Sequence, residues 1–179
     1  EVAGGYLIGA YGFGTGGAII RLDANGDTLG HVELTGETYD APAGVVQLPD
    51  LTCVWSGMMV GHLTKTNMDG DIIWERDYDA GFSMQGSLPT PDGGLVVAGV
   101  SPLPWQPVDH EIRIMKINAD GDSLWGHTYH GANGTSADTC VALLPAVGGG
   151  FLLIGGTNFE PGEFSAYCMI IRTDANGDS

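Results

Sequence analysis

Asn118-Ala119-Asp120-Gly121-Asp122 is one of four similar segments that decide the fold of this chain. The other three are Asp23-Ala24-Asn25-Gly26-Asp27, Asn67-Met68-Asp69-Gly70-Asp71 and Asp174-Ala175-Asn176-Gly177-Asp178. Asn-Gly and Asp-Gly pairs favour the positive φ angles of a tight hairpin turn, whose twist matches that of the flanking strands. The four segments therefore predict four β-hairpins.

The turn glycines recur at the length of a propeller blade. Gly26, Gly70, Gly121 and Gly177 are separated by 44, 51 and 56 residues, close to the roughly 40 to 50 residues of a blade and longer than a solenoid repeat. We therefore expect an all-β propeller, or an open half-propeller, of about four four-stranded antiparallel blades. It would form one domain over residues 1–179, with blades at about 1–40, 41–81, 82–133 and, incomplete, 134–179.

Residues at fixed distances from the turn glycines fall into columns. A basic residue stands five positions before each glycine, at Arg21, Lys65, Lys116 and Arg172. Four of the six basic residues of the chain lie in this column. This concentration indicates that the base has a structural role in each blade and is not a scattered surface charge. Four positions after the glycine come Gly30, Trp74 and Trp125, and eight after it come Leu34, Tyr78 and Tyr129. The first copy has therefore diverged.

Each full copy predicts four strands, A to D. Strand A closes with Leu48-Pro49, Leu88-Pro89 or Leu144-Pro145, because proline cannot donate to a ladder and is tolerated at strand ends. Strand B is the apolar run after Gly-Gly, and in the second copy it is the Leu51 to Gly57 segment. Strand C carries the base, and strand D carries Trp-x-x-x-Tyr. The predicted order is BCD, ABCD, ABCD, ABC, with strand B between neighbouring blades and the polar strand D outside.

Composition supports this class and excludes several functions. The 30 Gly and nine Pro leave no helical period free of interruption. The formal charge of -16 would repel phosphate backbones and anionic lipid heads, so we expect no nucleic-acid binding. No apolar run reaches the roughly 18 residues that a bilayer span needs, so we expect no membrane insertion. Cys53, Cys140 and Cys168 lack metal-ligand spacing, and we expect buried free thiols, with one disulfide as the alternative.

The repeat resembles a known group of proteins. The segments at 4–9, 171–179 and 124–129 read Gly-Gly-aromatic-Leu-Ile-Gly, Ile-Arg-Thr-Asp-Ala-Asn-Gly-Asp-Ser and Leu-Trp-x-x-x-Tyr. This pattern resembles the propeller repeats of large secreted bacterial proteins, many of which carry a C-terminal sorting domain. The Gly-Gly strands are similar to kelch blades and the C–D turn to the Asp-box of sialidase-like propellers, although both matches are incomplete. The resemblance implies a bacterial protein that is secreted or on the cell surface.

The sequence predicts no catalytic site. It contains no G-x-S-x-G nucleophile elbow and no H-E-x-x-H metal motif, so we expect neither an enzyme nor a cofactor. The anchor turn resembles the opening of a calcium loop, with candidate ligands at Asp23, Asp27, Asp174 and Asp178. A hairpin turn capped by Asp side chains is the favoured interpretation, because the glycine comes one residue too early and no distal Glu follows.

The B–C loops are the candidate binding surface, because they vary in length on a constant scaffold. Their candidate residues are Tyr11, Phe13, Trp105, Asp109, Phe159, Glu160, Phe164 and Tyr167. Such an aromatic and acidic rim suits a protein or glycan partner, although the aromatic side chains could instead fold back over their own blades.

The predicted function is a non-catalytic interaction module. The open flanks of the terminal blades indicate completion by further blades or by a second copy, because bare apolar flanks are rarely left exposed. A chain that lacks an initial Met and stops within a repeat is expected to be a fragment, a processed product or an excised domain. The alternative is a piece of a sialidase-like or lyase-like glycan enzyme whose catalytic residues lie outside this segment.

Overall fold

The computed structural model describes residues 5–12, 16–34, 42–57, 61–78, 82–101, 110–130, 138–158 and 166–179. These ranges contain fourteen β-strands and no helix. No helix long and apolar enough to cross a bilayer therefore occurs among them. The predicted blade boundaries near residues 40, 81 and 133 lie outside the described residues.

The strands form four antiparallel sheets in chain order. Blade 1 contains β1 (Gly5–Gly12), β2 (Gly16–Asp23) and β3 (Thr28–Leu34). Blade 2 contains β4 (Pro42–Gln47), β5 (Cys53–Gly57), β6 (His62–Thr66) and β7 (Ile72–Asp77). Blade 3 contains β8 (Ser83–Pro89), β9 (Leu95–Ser101), β10 (Glu111–Ile117) and β11 (Ser123–Tyr129). Blade 4 contains β12 (Thr139–Pro145), β13 (Phe151–Asn158) and β14 (Ala166–Arg172).

Each sheet is a meander in which consecutive strands pair. The predicted order BCD, ABCD, ABCD, ABC is confirmed, since the first sheet has three strands, the next two have four and the last has three. The A strands β4, β8 and β12 contact one another from blade to blade. They therefore form the inner side of the array, and the D strands form its outer side.

The four anchor segments are the predicted hairpin turns between strands C and D. Their glycines have φ angles of 89° at Gly26, 94° at Gly70, 86° at Gly121 and 86° at Gly177. This left-handed region strains residues that carry a Cβ atom, which explains the glycine at each site. Within the first turn the amide of Asp23 donates to the carbonyl of Asp27 over 2.9 Å, and the same bond recurs in the other three turns.

The A–B turns correct one detail of the predicted strands. Leu51, Gly93 and Gly149 occupy the same place, with φ angles of 66°, 80° and 101°. In blade 2 this equivalence puts Leu48 and Pro49 inside the turn, and strand β4 ends at Gln47. The prediction that Leu48-Pro49 closes strand A was therefore wrong by two residues, whereas β8 and β12 do end at Pro89 and Pro145.

Strand β9 shows how the core is shared between blades. Leu95 and Val97 pack with Val54 and Leu63 of blade 2. Val96, Ala98 and Val100 on the opposite face pack with side chains of blade 4, which include Leu153. The prediction that strand B lies between neighbouring blades is therefore confirmed, and its apolar character on both faces follows from two-sided burial.

The cysteines differ in environment. Cys53 and Cys140 are buried, as predicted, and all three thiols are free. Burial raises the pKa of Cys140 to about 11. Cys168, however, is exposed, so the prediction of three buried thiols was wrong. It occupies the position of the fully buried Ile112 of blade 3, which the next blade covers.

Candidate interaction surfaces

The predicted binding rim lies mostly outside the described residues. Phe13, Trp105, Asp109, Phe159, Glu160 and Phe164 fall in the segments 13–15, 102–109 and 159–165, which the structure does not describe. Tyr11 lies in β1, where its backbone pairs with Gly17. Tyr167 lies in β14 and its side chain is exposed. The rim as a binding surface stays a prediction.

The basic column forms ion pairs with the A–B turn in the two complete blades. Lys65 Nζ lies 3.0 Å from Asp50 Oδ2, and Lys116 Nζ lies 2.5 Å from Asp92 Oδ2. The hydrogen bond from Lys116 lowers the pKa of Asp92 to about 2. Burial opposes ionisation of Asp50, but hydrogen bonds from Thr52 and Lys65 outweigh it and lower the pKa of that carboxyl group. Each pair fastens strand C to the turn between strands A and B.

In blade 4 a hydrogen bond to a backbone carbonyl takes the place of this ion pair. Gly148 stands at the position of Asp92, and Arg172 donates to the carbonyl of Val147 over 3.0 Å. The space beside the guanidinium is an open cavity of about 380 Å³, lined by Arg172, the two glycines Gly148 and Gly149, and the Asp174 turn. The fourth basic residue, Arg21, lines a small cleft between blades 1 and 2 with Cys53.

The Trp-x-x-x-Tyr strand of blade 2 binds the C–D turn of blade 3. Trp74 Nε1 donates to the carbonyl of Ala119 over 3.1 Å, and the Tyr78 hydroxyl donates to the carbonyl of Gly121 over 2.7 Å. Arg76 between them donates to the carbonyl of Asp120 over 3.3 Å. The outer strand therefore recognises the backbone of the next turn. We call this set of contacts the latch.

Blade 3 repeats the latch on blade 4. The Tyr129 hydroxyl donates to the carbonyl of Gly177, and burial raises the pKa of Tyr129 to about 12. A methyl group added at Gly177 would lie 2.8 Å from the Trp125 ring. Trp125 also packs on Phe151, the first residue of strand β13, with ring centroids 6.3 Å apart. The predicted structural columns thus meet across the blade boundary.

The boundary between blades 1 and 2 uses different side chains. Strand β3 has Gly30 at the Trp position, and Val32 covers the turn, because a methyl group added at Gly70 would lie 2.0 Å from its Cγ1 atom. Met68 of that turn packs with Cys53, with the two sulfur atoms 3.4 Å apart. The divergence of the first copy is therefore compensated in the turn of the second.

The turn carboxylates act as caps. Asp23 Oδ1 accepts the amides of Asn25 and Asp27 over 2.8 and 2.9 Å, and Asp174 Oδ1 accepts those of Asn176 and Asp178 over 2.7 and 3.0 Å. These backbone hydrogen bonds lower the pKa of both Asp23 and Asp174. Within the described part of the chain, no three His, Cys, Asp or Glu side chains converge as a metal site would require. The calcium alternative stays a prediction.

A histidine cluster in blade 2 was not predicted. His62 Nδ1 lies 2.7 Å from Asp77 Oδ1, and Nε2 lies 3.0 Å from Thr64 Oγ1. The order of hydroxyl, imidazole and carboxylate is that of a nucleophilic triad. Thr64 is fully buried, however, so no substrate reaches its hydroxyl in this conformation. The cluster joins strands β6 and β7 and satisfies the polar groups of a buried histidine.

The two terminal blades present open faces. Ile8 of β1 is 43 % exposed, whereas Val97 at the same place in blade 3 is 0 % exposed. Ile170 of β14 is 64 % exposed, whereas its counterpart Ile114 is 0 % exposed. Tyr6 beside Ile8 and Cys168 beside Ile170 are also exposed. These side chains belong to faces that neighbouring blades cover elsewhere in the chain.

Comparison with solved structures agrees with this geometry. The Neurospora crassa Pan2 WD40 domain superposes with a TM-score of 0.56 at 13 % identity, over 91 % of this chain and 45 % of that one. This chain has the β-propeller fold. Virginiamycin B lyase from Staphylococcus aureus gives 0.55 at 16 % identity, over 86 % and 48 %, and a streptogramin B lyase gives 0.52 at 17 %, over 88 % and 47 %.

The propeller therefore spans less than half the length of these solved chains. No protein-family model matches the sequence, and no curated protein matches it.

Proposed function

We propose that this chain is a non-catalytic propeller scaffold, part of a larger assembly, that binds a protein or glycan partner outside a bacterial cell. The open faces of blades 1 and 4 carry the proposal. Their apolar side chains are exposed at the positions that blades 2 and 3 bury, and exposed apolar patches of this kind mark interaction sites. Further blades, or a second copy, would cover them, and the B–C loops would then form one rim of the completed ring.

Light scattering after size-exclusion chromatography tests completion by a second copy. If a second copy covers the open faces, the chain forms a dimer or larger oligomer whose mass falls when Ile8 and Ile170 are each replaced by serine. Leu29→Ser is the matched control, because Leu29 of β3 is an exposed leucine at an outer-strand position that is also exposed in blades 2 and 3. A monomer at every concentration would contradict completion by a second copy.

A glycan array and a binding screen with extracellular proteins test the rim. Loss of binding in Trp105→Ala or Phe159→Ala, with unchanged melting temperature, is the expected result. Lower stability without a specific binding defect would instead mean that these aromatic side chains pack on their own blades.

The second candidate function is catalytic. Two of the superposed structures are lyases, and the proposal that this chain is not an enzyme therefore needs a direct test. A panel of glycan lyase and hydrolase substrates should give no turnover above buffer. Turnover that disappears in His62→Ala, while the protein remains folded, would contradict the non-catalytic proposal and place a catalytic group within this chain.

A further inference from the structure

We propose that the open face of blade 1 binds a further blade of this same repeat, one whose outer strand carries Trp-x-x-x-Tyr. This inference rests on the proposed function, because it takes the chain to be part of a larger propeller. It specifies which kind of blade covers the open face of blade 1. The latch between blades 2 and 3 and its repeat between blades 3 and 4 supply the geometry.

The C–D turn of blade 1 is a latch acceptor without a donor among the described residues. Gly26 N donates to the carbonyl of Asp23 over 3.1 Å, as Gly121 N does to that of Asn118 over 3.2 Å. Gly121 and Gly177 are buried under the preceding outer strand, whereas Gly26 is exposed. A methyl group added at Gly26 would meet no atom of the described residues within 4 Å. The turn therefore has the acceptor conformation, and its surface is open.

The residue that directly follows the Gly-Gly pair, at the start of strand B, completes this acceptor. Tyr6 of β1 pairs with Leu22 just as Leu95 of β9 pairs with Ile117, and Phe151 holds the same place in β13. Phe151 contacts Trp125 of the preceding blade, and Leu95 belongs to the cluster on which Trp74 packs. Tyr6 is an exposed aromatic side chain at the position where each of those blades receives a tryptophan. It provides the apolar wall of an unoccupied indole site.

In each C–D turn, the residue two positions before the turn glycine indicates which side chain of the preceding outer strand packs there. Ala119 and Ala175 stand there in the turns that face Trp74 and Trp125. Met68 stands there in the turn that faces Gly30, and its side chain fills the space beside Cys53, the position equivalent to Phe151. A small residue thus accompanies tryptophan, and a large one replaces it. Blade 1 has Ala24, so its turn matches a strand that carries tryptophan.

A second copy of these 179 residues has no free donor strand to offer. Among the described strands, β7 and β11 carry Trp-x-x-x-Tyr, and both already bind turns within their own chain. Strand β3 has Gly30 instead. The occupant of this flank is therefore a blade beyond the four described here.

Two extended chains test the proposal, each built by repeating a blade directly before Glu1. Repeating 82–145, or 42–89, places the copied strand A in register with β1, because Gly4-Gly5 aligns with Gly149-Gly150 and with Gly93-Gly94. Each extension supplies one unused Trp-x-x-x-Tyr strand. The expected product unfolds in a single transition, at a higher temperature than the parent chain.

Tyr6→Ser distinguishes a specific latch from general stabilisation. In the parent chain this change should shift the melting temperature by less than about 2 °C, because the ring is exposed. In either extended chain it should lower the melting temperature by about 5 °C or more, since the ring becomes part of a blade interface. Replacing the copied tryptophan and tyrosine by alanine should abolish that difference. Leu29→Ser is the matched control and should act equally in parent and extended chains.

Equal effects of Tyr6→Ser in parent and extended chains would overturn the proposal. Separate unfolding of the added blade, in both extensions, would overturn it as well. Both results are independent of the oligomer measurement. A monomeric parent chain, together with a strong effect of Tyr6→Ser in the extended chains, would contradict completion by a second copy and still support binding of a further blade.

Discussion

Replacing Tyr78 by phenylalanine removes one hydroxyl group from the latch and nothing else from the core. That hydroxyl donates to the carbonyl of Gly121 over 2.7 Å, 43 residues further along the chain. Gly121 is buried, so water replaces the lost donor incompletely. Burial also raises the pKa of Tyr78 well above its usual range, so the hydroxyl remains a donor throughout the accessible pH range.

The expected loss of stability follows from two contributions. A hydrogen bond contributes about 1 kcal/mol net, and a buried group left without a partner costs about 1 to 3 kcal/mol. Because Tyr78 is only half-buried, we expect Tyr78→Phe to lower the free energy of unfolding by about 1.5 kcal/mol. For a chain of this size this corresponds to a melting temperature about 3 to 6 °C lower.

Urea unfolding followed by tryptophan fluorescence, together with calorimetry, measures this loss. Tyr6→Phe is the matched control, because Tyr6 is exposed, and it should change stability by less than about 0.5 kcal/mol. Tyr129→Phe should reproduce the Tyr78 result, since it removes the same bond at the next boundary. If Tyr78→Phe proved no more destabilising than Tyr6→Phe, the latch would not hold the blades together.

Three further predictions concern the ion pairs and the thiols. Asp50→Asn should cost about 2 kcal/mol in urea unfolding, and more than Asp92→Asn, because Lys65 is more deeply buried than Lys116; equal losses would contradict this. The pKa of Asp92 in the folded protein is about 2, below its value in the unfolded chain. The ionised carboxylate therefore stabilises the folded protein fully above about pH 4, and this stabilisation is lost as the pH falls towards 2. Asp92→Asn should flatten that part of the stability profile. Ellman's reagent should titrate Cys168 alone in the native protein and all three thiols in urea.

The turns and the strand order could be predicted because they depend on local chemistry. Positive φ angles at Gly26, Gly70, Gly121 and Gly177 leave a strong composition signal in Asn-Gly and Asp-Gly pairs. Strand B could be recognised because burial on both faces requires a continuous apolar run. The blade phase then followed by counting strands between turns.

The A–B turn of blade 2 could not be aligned from sequence. Leu51 takes a positive φ angle of 66° where the other blades have glycine, so the usual signal is missing. The Leu-Pro pair at residues 48 and 49 resembled the strand ends at Pro89 and Pro145 and misled the alignment. The ion pair partners Asp50 and Asp92 were missed for the same reason, because their equivalence appears only once the turns are superposed.

The open faces were predicted in kind but not in detail. Counting strands indicated that blades 1 and 4 would be incomplete, and Tyr6 and Ile170 are exposed as that count requires. Cys168 was placed among the buried thiols, because it lies inside a predicted strand. Cys168 is exposed because no described blade covers this face of blade 4, whereas blade 4 covers the equivalent face of blade 3.

The sequence by itself determined the all-β class, the four hairpin turns and the order of the strands, because each depends on residues close together in the chain. Only the tertiary structure decided what the recurring columns of the repeat contact. Trp74 meets the carbonyl of Ala119, 45 residues away, because stacking the blades side by side brings each outer strand over the next turn. Every residue type has a backbone carbonyl, so the sequence does not show which carbonyl accepts the hydrogen bond from Trp74.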